Sequence, residues 1–189
     1  MIYIIISIIS FLILHIFNIF SLRKISIAKP VTLVLGSGLL IYSIIMMSLD
    51  ANKLLLPMWL TWLGWGLLLL SFFLLMYSLF ISLPFNKTYI KTSTPNKLVT
   101  TGLFALVRHP WVLFSAPVFL SLILISKSSQ LLIAAPILVL LNIALAIIQD
   151  KFIFDRMFAG YDDYRKQTPM LMPNRTSIRA CISTIRNRA

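Results

Sequence analysis

The chain has 189 residues, of which 59% are hydrophobic and only 12% are charged, and its mean hydropathy is +0.94. Soluble domains carry about 45–50% apolar and about 25% charged residues, so this composition excludes an ordinary soluble domain and predicts a membrane protein. The net charge of +12 has no soluble domain that could present it to nucleic acid, so we expect it to contact anionic lipid headgroups. The single cysteine, Cys181, excludes an intrachain disulfide and fits no metal-ligand spacing.

Five apolar stretches follow one another along the chain, at residues 2–20, 31–49, 54–83, 111–126 and 131–148. Each is long enough, or nearly so, to cross a bilayer core about 30 Å thick as a helix. The short connection between the last two stretches makes them an antiparallel hairpin. We therefore predict an all-α integral membrane protein with about five transmembrane helices, a C-terminal helical hairpin and an interfacial helix.

Basic residues are distributed unequally between the loops. Fifteen of the 17 Lys and Arg residues follow the first, third and fifth stretches, and only Lys53 and Lys127 lie in the alternate loops. The positive-inside rule then puts the amino terminus outside, and the Arg108 loop and the tail in the cytoplasm; in a bacterium the membrane would be the inner (plasma) membrane. We divide the chain into N-terminal transmembrane segments (1–97), a motif region (98–173) and a basic cytoplasmic tail (174–189) that is flexible or lies on the surface.

The segment LVTTGLFALVRHP, residues 98–110, leads directly into the fourth apolar stretch. It brings a cation, Arg108, and an imidazole, His109, to the bilayer surface, which is costly unless they have a partner or a function. Gly102 permits a tight turn or the close approach of a ligand, and Pro110 suits the first turn of a helix. Arg108 could pair with a carboxylate or phosphate. The alternative is a snorkelling arginine beside a histidine at headgroup level.

A second polar group, Gln149-Asp150, stands where the fifth stretch leaves the membrane. Asp150 directly follows an apolar run, so an isolated carboxylate there would be poorly solvated. Pairing with Arg108 would relieve that cost. An amphipathic interfacial helix without chemistry is the alternative interpretation of this region.

Aromatic residues continue the pattern beyond Asp150. Phe154, Phe158 and Tyr161 follow it at four, eight and eleven residues, which predicts that the helix continues along the interface with one aromatic face. Gly160 is a plausible end signal for that helix. Tyr161 and Tyr164 are three residues apart and would share one side of a helical turn, where their hydroxyls could reach a ligand or could serve only as interface anchors.

Over roughly residues 98–173 the chain resembles the isoprenylcysteine carboxyl methyltransferase and phospholipid methyltransferase superfamily. Two segments carry this resemblance, LVTTGLFALVRHP and QDKFIFDRMFAGYDDYRKQTPMLMP. That pattern has a glycine, Arg-His-Pro with a tyrosine two residues on, a helical hairpin, an acidic pair, a Phe-Gly-x-x-Tyr-x-x-Tyr run and a late proline. The matching positions are Gly102, Arg108, His109, Pro110, Tyr161, Tyr164 and Pro173. The chain departs from the pattern at Val112, at Gln149 and at Met157-Phe158.

The resemblance implies an all-helical membrane enzyme that uses S-adenosylmethionine, with the cofactor in a cytosol-facing pocket and an acceptor that enters from the bilayer. It leads us to assign catalytic roles to Arg108, which would hold an acceptor or cofactor anion, and to Asp150, which would fix Arg108 or the cofactor ammonium. No metal is expected. The residues assigned to the cofactor are Gly102, His109, Gln149, Tyr161 and Tyr164.

The acceptor stays open at this point: a prenylated cysteine carboxylate, a phospholipid amine and a small thiol or other lipophilic molecule all suit a lipid-accessible pocket. Two other functions also stay open. Val112 and Gln149 would suit a non-catalytic protein that retains the fold. A membrane reductase of the sterol type, which uses a reduced nicotinamide, has a similar Arg-His-Pro but continues with Asn-Tyr where Trp111-Val112 stands here. The sequence indicates no oligomeric state.

Overall fold

The computed structural model describes residues 1–22, 28–83 and 98–186, and its regular elements there are helices. The helices are α1 Ile2–Leu22, α2 Ala28–Ser48, α3 Met58–Met76, α4 Leu103–Leu106, α5 Pro110–Ser126, α6 Ser129–Ile148, α7 Phe154–Met157, α8 Tyr161–Gln167 and α9 Arg175–Arg186. Two π-helical turns are present: Tyr77–Ile81 extends α3, and Gln149–Ile153 joins α6 to α7. The all-α prediction is confirmed.

Three helical segments in the described ranges are long and apolar enough to cross a membrane, namely Ala28–Ser48, Met58–Ile81 and Ser129–Met157. Ile2–Phe17 and Pro110–Ser126 are shorter apolar helices, so all five predicted stretches become helices. The predicted orientation stays a prediction, since six of the basic residues behind it lie outside the described residues. These six are Arg23, Lys24, Lys87, Lys91, Lys97 and Arg188.

Residues at the helix ends explain why α5 and α6 form a hairpin. Pro110 occupies the first turn of α5, where its missing N–H is harmless. Lys127 ends that helix in the left-handed conformation, with φ of 54°, and the Ser128 hydroxyl caps α6 by accepting from the Leu131 amide at 3.2 Å. The predicted hairpin is confirmed, and it returns the chain to the end of the molecule where Arg108 lies.

The helices pack in pairs, α1 against α2 and α3 against α5, around a core that also takes in α6. Met47, Leu131 and Leu138 are completely buried in that core. Gly64 lets α3 approach α5 closely, because a Cβ atom at this position would lie only 3.0 Å from the Leu124 Cβ atom. This packing fixes the ends of α5 and α6, which carry the polar residues of the motif region.

One prediction about the carboxyl-terminal third differs from the structure. The helix that follows α6 ends at Met157 instead of continuing to Gly160, and Phe158 has an extended backbone. Gly160 has a left-handed φ of 77° and precedes α8. The aromatic rings still cluster, since the Phe154 ring centroid is 5.4 Å from those of both Phe158 and Tyr161. The tail, which was expected to be flexible or to lie on the surface, forms α9 as far as Arg186, and this helix packs against α4.

Candidate functional site

A forked ion pair joins the beginning of α5 to the end of α6. The Arg108 Nε donates to Asp150 Oδ1 at 2.9 Å, and a terminal nitrogen donates to Oδ2 at 2.8 Å. Both side chains are buried, with 9% and 8% of their surface exposed. The remaining terminal nitrogen of Arg108 donates to the carbonyl oxygens of Arg165 at 2.7 Å and Thr168 at 2.8 Å. Arg108 therefore links α5, α6 and the end of α8 through one guanidinium.

The π-helical turn explains how the chain places Asp150 in this position. The Phe154 amide donates to the Gln149 carbonyl, five residues earlier, which widens the helix by one residue. Gln149, Asp150 and Ile153 are all buried on this turn. Such turns often occur at functional sites, because they change the direction of side chains without breaking the helix.

Two tyrosines of α8 close over the ion pair. The Tyr161 hydroxyl donates to the Asp150 carboxylate. The Tyr164 hydroxyl donates to the Phe104 carbonyl at 2.6 Å, and the two tyrosine rings lie 5.8 Å apart in an edge-to-face arrangement. Burial raises the pKa of both phenols well above the ordinary value, with a further rise for Tyr161 from the hydrogen bond to Asp150. Both tyrosines are therefore protonated donors at neutral pH.

His109 is fully buried beside the ion pair. Its ring stacks on that of Phe154, with centroids 5.6 Å apart and an interplanar angle of 13°. Its Nε2 lies 3.5 Å from Asp150 Oδ1, and neither ring nitrogen makes a hydrogen bond to the described part of the chain. Burial lowers the pKa of His109, and this effect outweighs the Asp150 carboxylate, which acts in the opposite direction. The imidazole is therefore neutral at pH 7.

Gly102 lies apart from this cluster, in a turn before α4. Its φ of 64° and ψ of −131° are strained for any residue with a side chain. Its amide donates to the Thr184 hydroxyl of α9 at 3.0 Å, so the tail helix fixes the turn.

A cavity of about 690 Å³ opens between α8, α9 and the chain that leads into α4. Tyr164 is the one residue among the seven predicted site residues that lines it, and the ion pair does not. Hydroxyl groups dominate its polar wall, from Thr100, Thr168, Thr176, Ser177 and Thr184. A pocket of this size is in the range that holds a cofactor or drug-sized ligand, about 300–1,000 Å³.

The structure therefore brings most of the predicted residues together. Arg108, His109 and Tyr161 each contact Asp150, Gln149 lies on the same turn as Asp150, and Tyr164 packs against Tyr161. Sequence reasoning missed the carbonyls that accept from Arg108, which leave no signal in residue identity. It also missed the hydroxyl wall, although the spacing of Ser177, Cys181 and Thr184 places them on one face of a helix.

The fold and the cluster define an all-α membrane protein with a buried, hydrogen-bonded ion pair at one end of a helical hairpin. A family model described as phospholipid methyltransferase matches residues 59–159, more than half of the chain. The chain belongs to this family of membrane methyltransferases, which confirms the superfamily suggested by the sequence. The match includes Arg108, His109 and Asp150 and ends before Tyr161. Searches of curated proteins and of solved structures found no match.

Proposed function

We propose that the protein transfers a methyl group from S-adenosylmethionine to a lipophilic acceptor, such as a prenylcysteine carboxylate or a lipid. The family match carries this proposal, because its region contains the buried ion pair and His109. The helices that flank the site are apolar, which gives an acceptor with a hydrocarbon chain a route from the bilayer. In our proposal the Arg108 end faces the cytoplasm, in line with the unequal distribution of basic loop residues.

Two features of the site fit the proposed cofactor. The ring nitrogens of His109 are buried without a hydrogen bond to the described residues. Buried polar groups in native proteins are nearly always hydrogen-bonded, so a ligand or a water molecule would bind here. The cavity beside Tyr164 has hydroxyl and amide groups for a polar, zwitterionic ligand. The bound cofactor would supply a methyl group on a cationic sulfur, which the acceptor's lone pair takes at carbon while the electrons of the carbon–sulfur bond stay on sulfur.

The contacts of Arg108 and Asp150 indicate what each would contribute. The fork of Arg108 is engaged by Asp150, so of the two roles predicted for Asp150 the proposal takes the fixing of Arg108. In this arrangement both residues hold α5, α6 and α8 in a fixed geometry around the reacting groups. Methyl transfer depends strongly on such positioning, because the reacting atoms must be aligned and close in a site that excludes water.

The remaining cofactor assignments form part of the same proposal. His109 and Gln149 would hydrogen-bond the amino acid portion of the cofactor, since both are buried beside the ion pair. Tyr164 would line its pocket directly, and Tyr161 would support Tyr164 through their ring contact at 5.8 Å. Gly102 would shape the wall of the cavity through its turn and its bond to Thr184.

Equilibrium binding tests the proposal directly. Detergent-purified protein is titrated with S-adenosylmethionine labelled in its methyl group, in the wild type and in the Arg108→Ala and His109→Ala variants. Lys53→Ala is the matched control, because Lys53 is an exposed cation that donates to the Ser48 carbonyl far along the chain from the cluster. We expect binding by the wild type and the control, and binding at least about tenfold weaker in the two site variants, as for loss of one buried polar contact.

The competing functions give other results. Absence of cofactor binding in the folded wild type would favour a non-catalytic protein of the same fold. Displacement of the labelled cofactor by a reduced nicotinamide would favour the reductase. Equal binding and transfer in Arg108→Ala and wild type would refute the residue assignment.

A further inference from the structure

The tail helix α9 presents an apolar stripe to its surroundings. It forms where the sequence predicted a basic segment that is flexible or lies on the surface. Three isoleucines on one side of the helix are exposed, Ile178 by 43%, Ile182 by 61% and Ile185 by 50%. Their spacing of four and three residues keeps them on one face over two turns. Exposed isoleucines in a row on an otherwise polar helix indicate that this face has a binding partner.

An arginine stripe runs beside the isoleucines. At 100° per residue, Arg175, Arg179 and Arg186 fall within a narrow sector of the helix that adjoins the apolar stripe. All three are exposed. The sequence contains no Asp or Glu after Asp163, so no acidic residue of the tail neutralises them. A helix with an apolar stripe flanked by arginines is typical of binding at the interface of an anionic bilayer.

The opposite face of α9 is held by the protein. Ser177 and Cys181 are buried, and Thr184 accepts the hydrogen bond from the Gly102 amide. At the start of the helix, Asn174 and Ser177 cap each other, with the Ser177 amide donating to Asn174 Oδ1 at 2.8 Å and the Asn174 amide donating to the Ser177 hydroxyl at 3.0 Å. The burial of Ser177 and Cys181 and the bond from Gly102 to Thr184 fix the rotation of the helix, so the isoleucine and arginine stripes point away from the body of the protein.

The place of α9 in the fold puts it at the level of the membrane surface. It packs against α4, and only three residues separate α4 from α5, an apolar helix whose first turn follows Arg108. We propose that the outer face of α9 binds the anionic lipid surface of the membrane that holds the protein. In that position Ile178, Ile182 and Ile185 enter the headgroup layer, and the arginines contact lipid phosphates.

Hydrogen exchange of the full chain in nanodiscs tests this proposal without any methyltransferase readout, so its outcome is independent of the proposed function. Each arginine near an anionic surface contributes about fivefold to lipid binding. We therefore expect the amides of α9 to exchange at least about tenfold more slowly in phosphatidylcholine discs that contain phosphatidylglycerol than in pure phosphatidylcholine discs. The triple variant Arg175→Gln, Arg179→Gln, Arg186→Gln should lose this difference.

A spin label measures the direction of the helix in the same discs. In a Cys181→Ala background, a label at Ile182→Cys should be shielded from a water-soluble nickel relaxant and accessible to oxygen, whereas a label at Ser183→Cys should remain in water. Exchange that is independent of lipid charge, or equal nickel access at the two positions, would overturn the proposal. Protection that depends on protein concentration would instead assign the face to a second copy of the chain.

Discussion

Removal of the Arg108 side chain should destabilise the protein more than any other single truncation of an ionic contact in the described structure. Arg108→Ala leaves the Asp150 carboxylate buried, with 8% of its side chain exposed and without its forked partner, while the nearby Arg165 donates to the Asp150 backbone carbonyl and not to the carboxylate in the described structure. Breaking one partner of a buried pair costs about 3–5 kcal/mol, because the remaining charge stays desolvated. Asp150→Ala should cost less, since Arg108 keeps its bonds to the carbonyls of Arg165 and Thr168.

The double variant isolates the interaction between the two residues. When both side chains are removed, neither charge of this pair is left buried without its partner, so the double variant should be less destabilised than the sum of the single variants. We expect a coupling energy above about 1.5 kcal/mol in this cycle. The pair of Lys166 and Asp163 is a matched control, because its atoms are 3.2 Å apart but both side chains are 76% exposed. Its coupling should stay below about 0.5 kcal/mol.

Unfolding of the seven proteins, namely the wild type and the three variants of each cycle, can be followed by tryptophan fluorescence, since the chain has four tryptophans. Each protein is titrated with sodium dodecyl sulfate in maltoside micelles, and the free energy of unfolding is extrapolated to zero denaturant. Single Arg108 and Asp150 variants that each lose less than about 1 kcal/mol and combine additively would refute the argument that a buried ion pair holds the site together.

Three further predictions concern the other residues of the candidate site. Tyr161→Phe removes a hydrogen bond to a charged acceptor and should lower the free energy of unfolding by about 1.5–3 kcal/mol. Tyr164→Phe removes a hydrogen bond to a neutral carbonyl and should lower it by about 0.5–1.5 kcal/mol. The opposite order in the same unfolding titration would contradict this prediction. Gly102→Ala should destabilise by about 1–3 kcal/mol because of its positive φ, whereas Gly38→Ala, in a helix with open space around it, should stabilise by up to about 1 kcal/mol. The pKa of His109 is lowered in the folded protein, so below the ordinary histidine pKa of 6.5 the imidazole takes up a proton in the unfolded chain but not in the folded one. The free energy of unfolding should therefore fall as the pH drops below 6.5. His109→Asn should remove this part of the pH dependence, and an unchanged slope between pH 7 and 5 would contradict the assignment.

Much of the fold follows from patterns that are strong in the sequence itself. Apolar runs of helical length predicted five helices, and the short connection around Lys127 predicted the hairpin. The pairing of Asp150 with Arg108 was expected because a lone carboxylate directly after an apolar run would be poorly solvated, and the structure contains this pair.

The parts that sequence reasoning missed depend on backbone geometry and on weak local signals. The change from an α-helix to a π-helical turn at Gln149 shifts the later residues, so the aromatic spacing counted from Asp150 no longer describes one continuous helix. The tail was expected to be flexible or to lie on the surface, and no helix was predicted there. Its Ser177, Cys181 and Thr184 face packs on α4 only in the folded chain, which the composition does not reveal.

The most direct test of the proposed function is the transfer of a labelled methyl group. Purified wild type in lipid nanodiscs is incubated with S-adenosylmethionine labelled in its methyl group and with a membrane lipid extract, and the lipid-soluble products are analysed by mass spectrometry. We predict a product that gains the label, with its yield retained in Lys53→Ala and reduced at least about a hundredfold in Asp150→Asn, because the site geometry is lost. The account would be contradicted by wild-type protein that binds no cofactor and labels nothing, or by equal label in the wild type and Asp150→Asn.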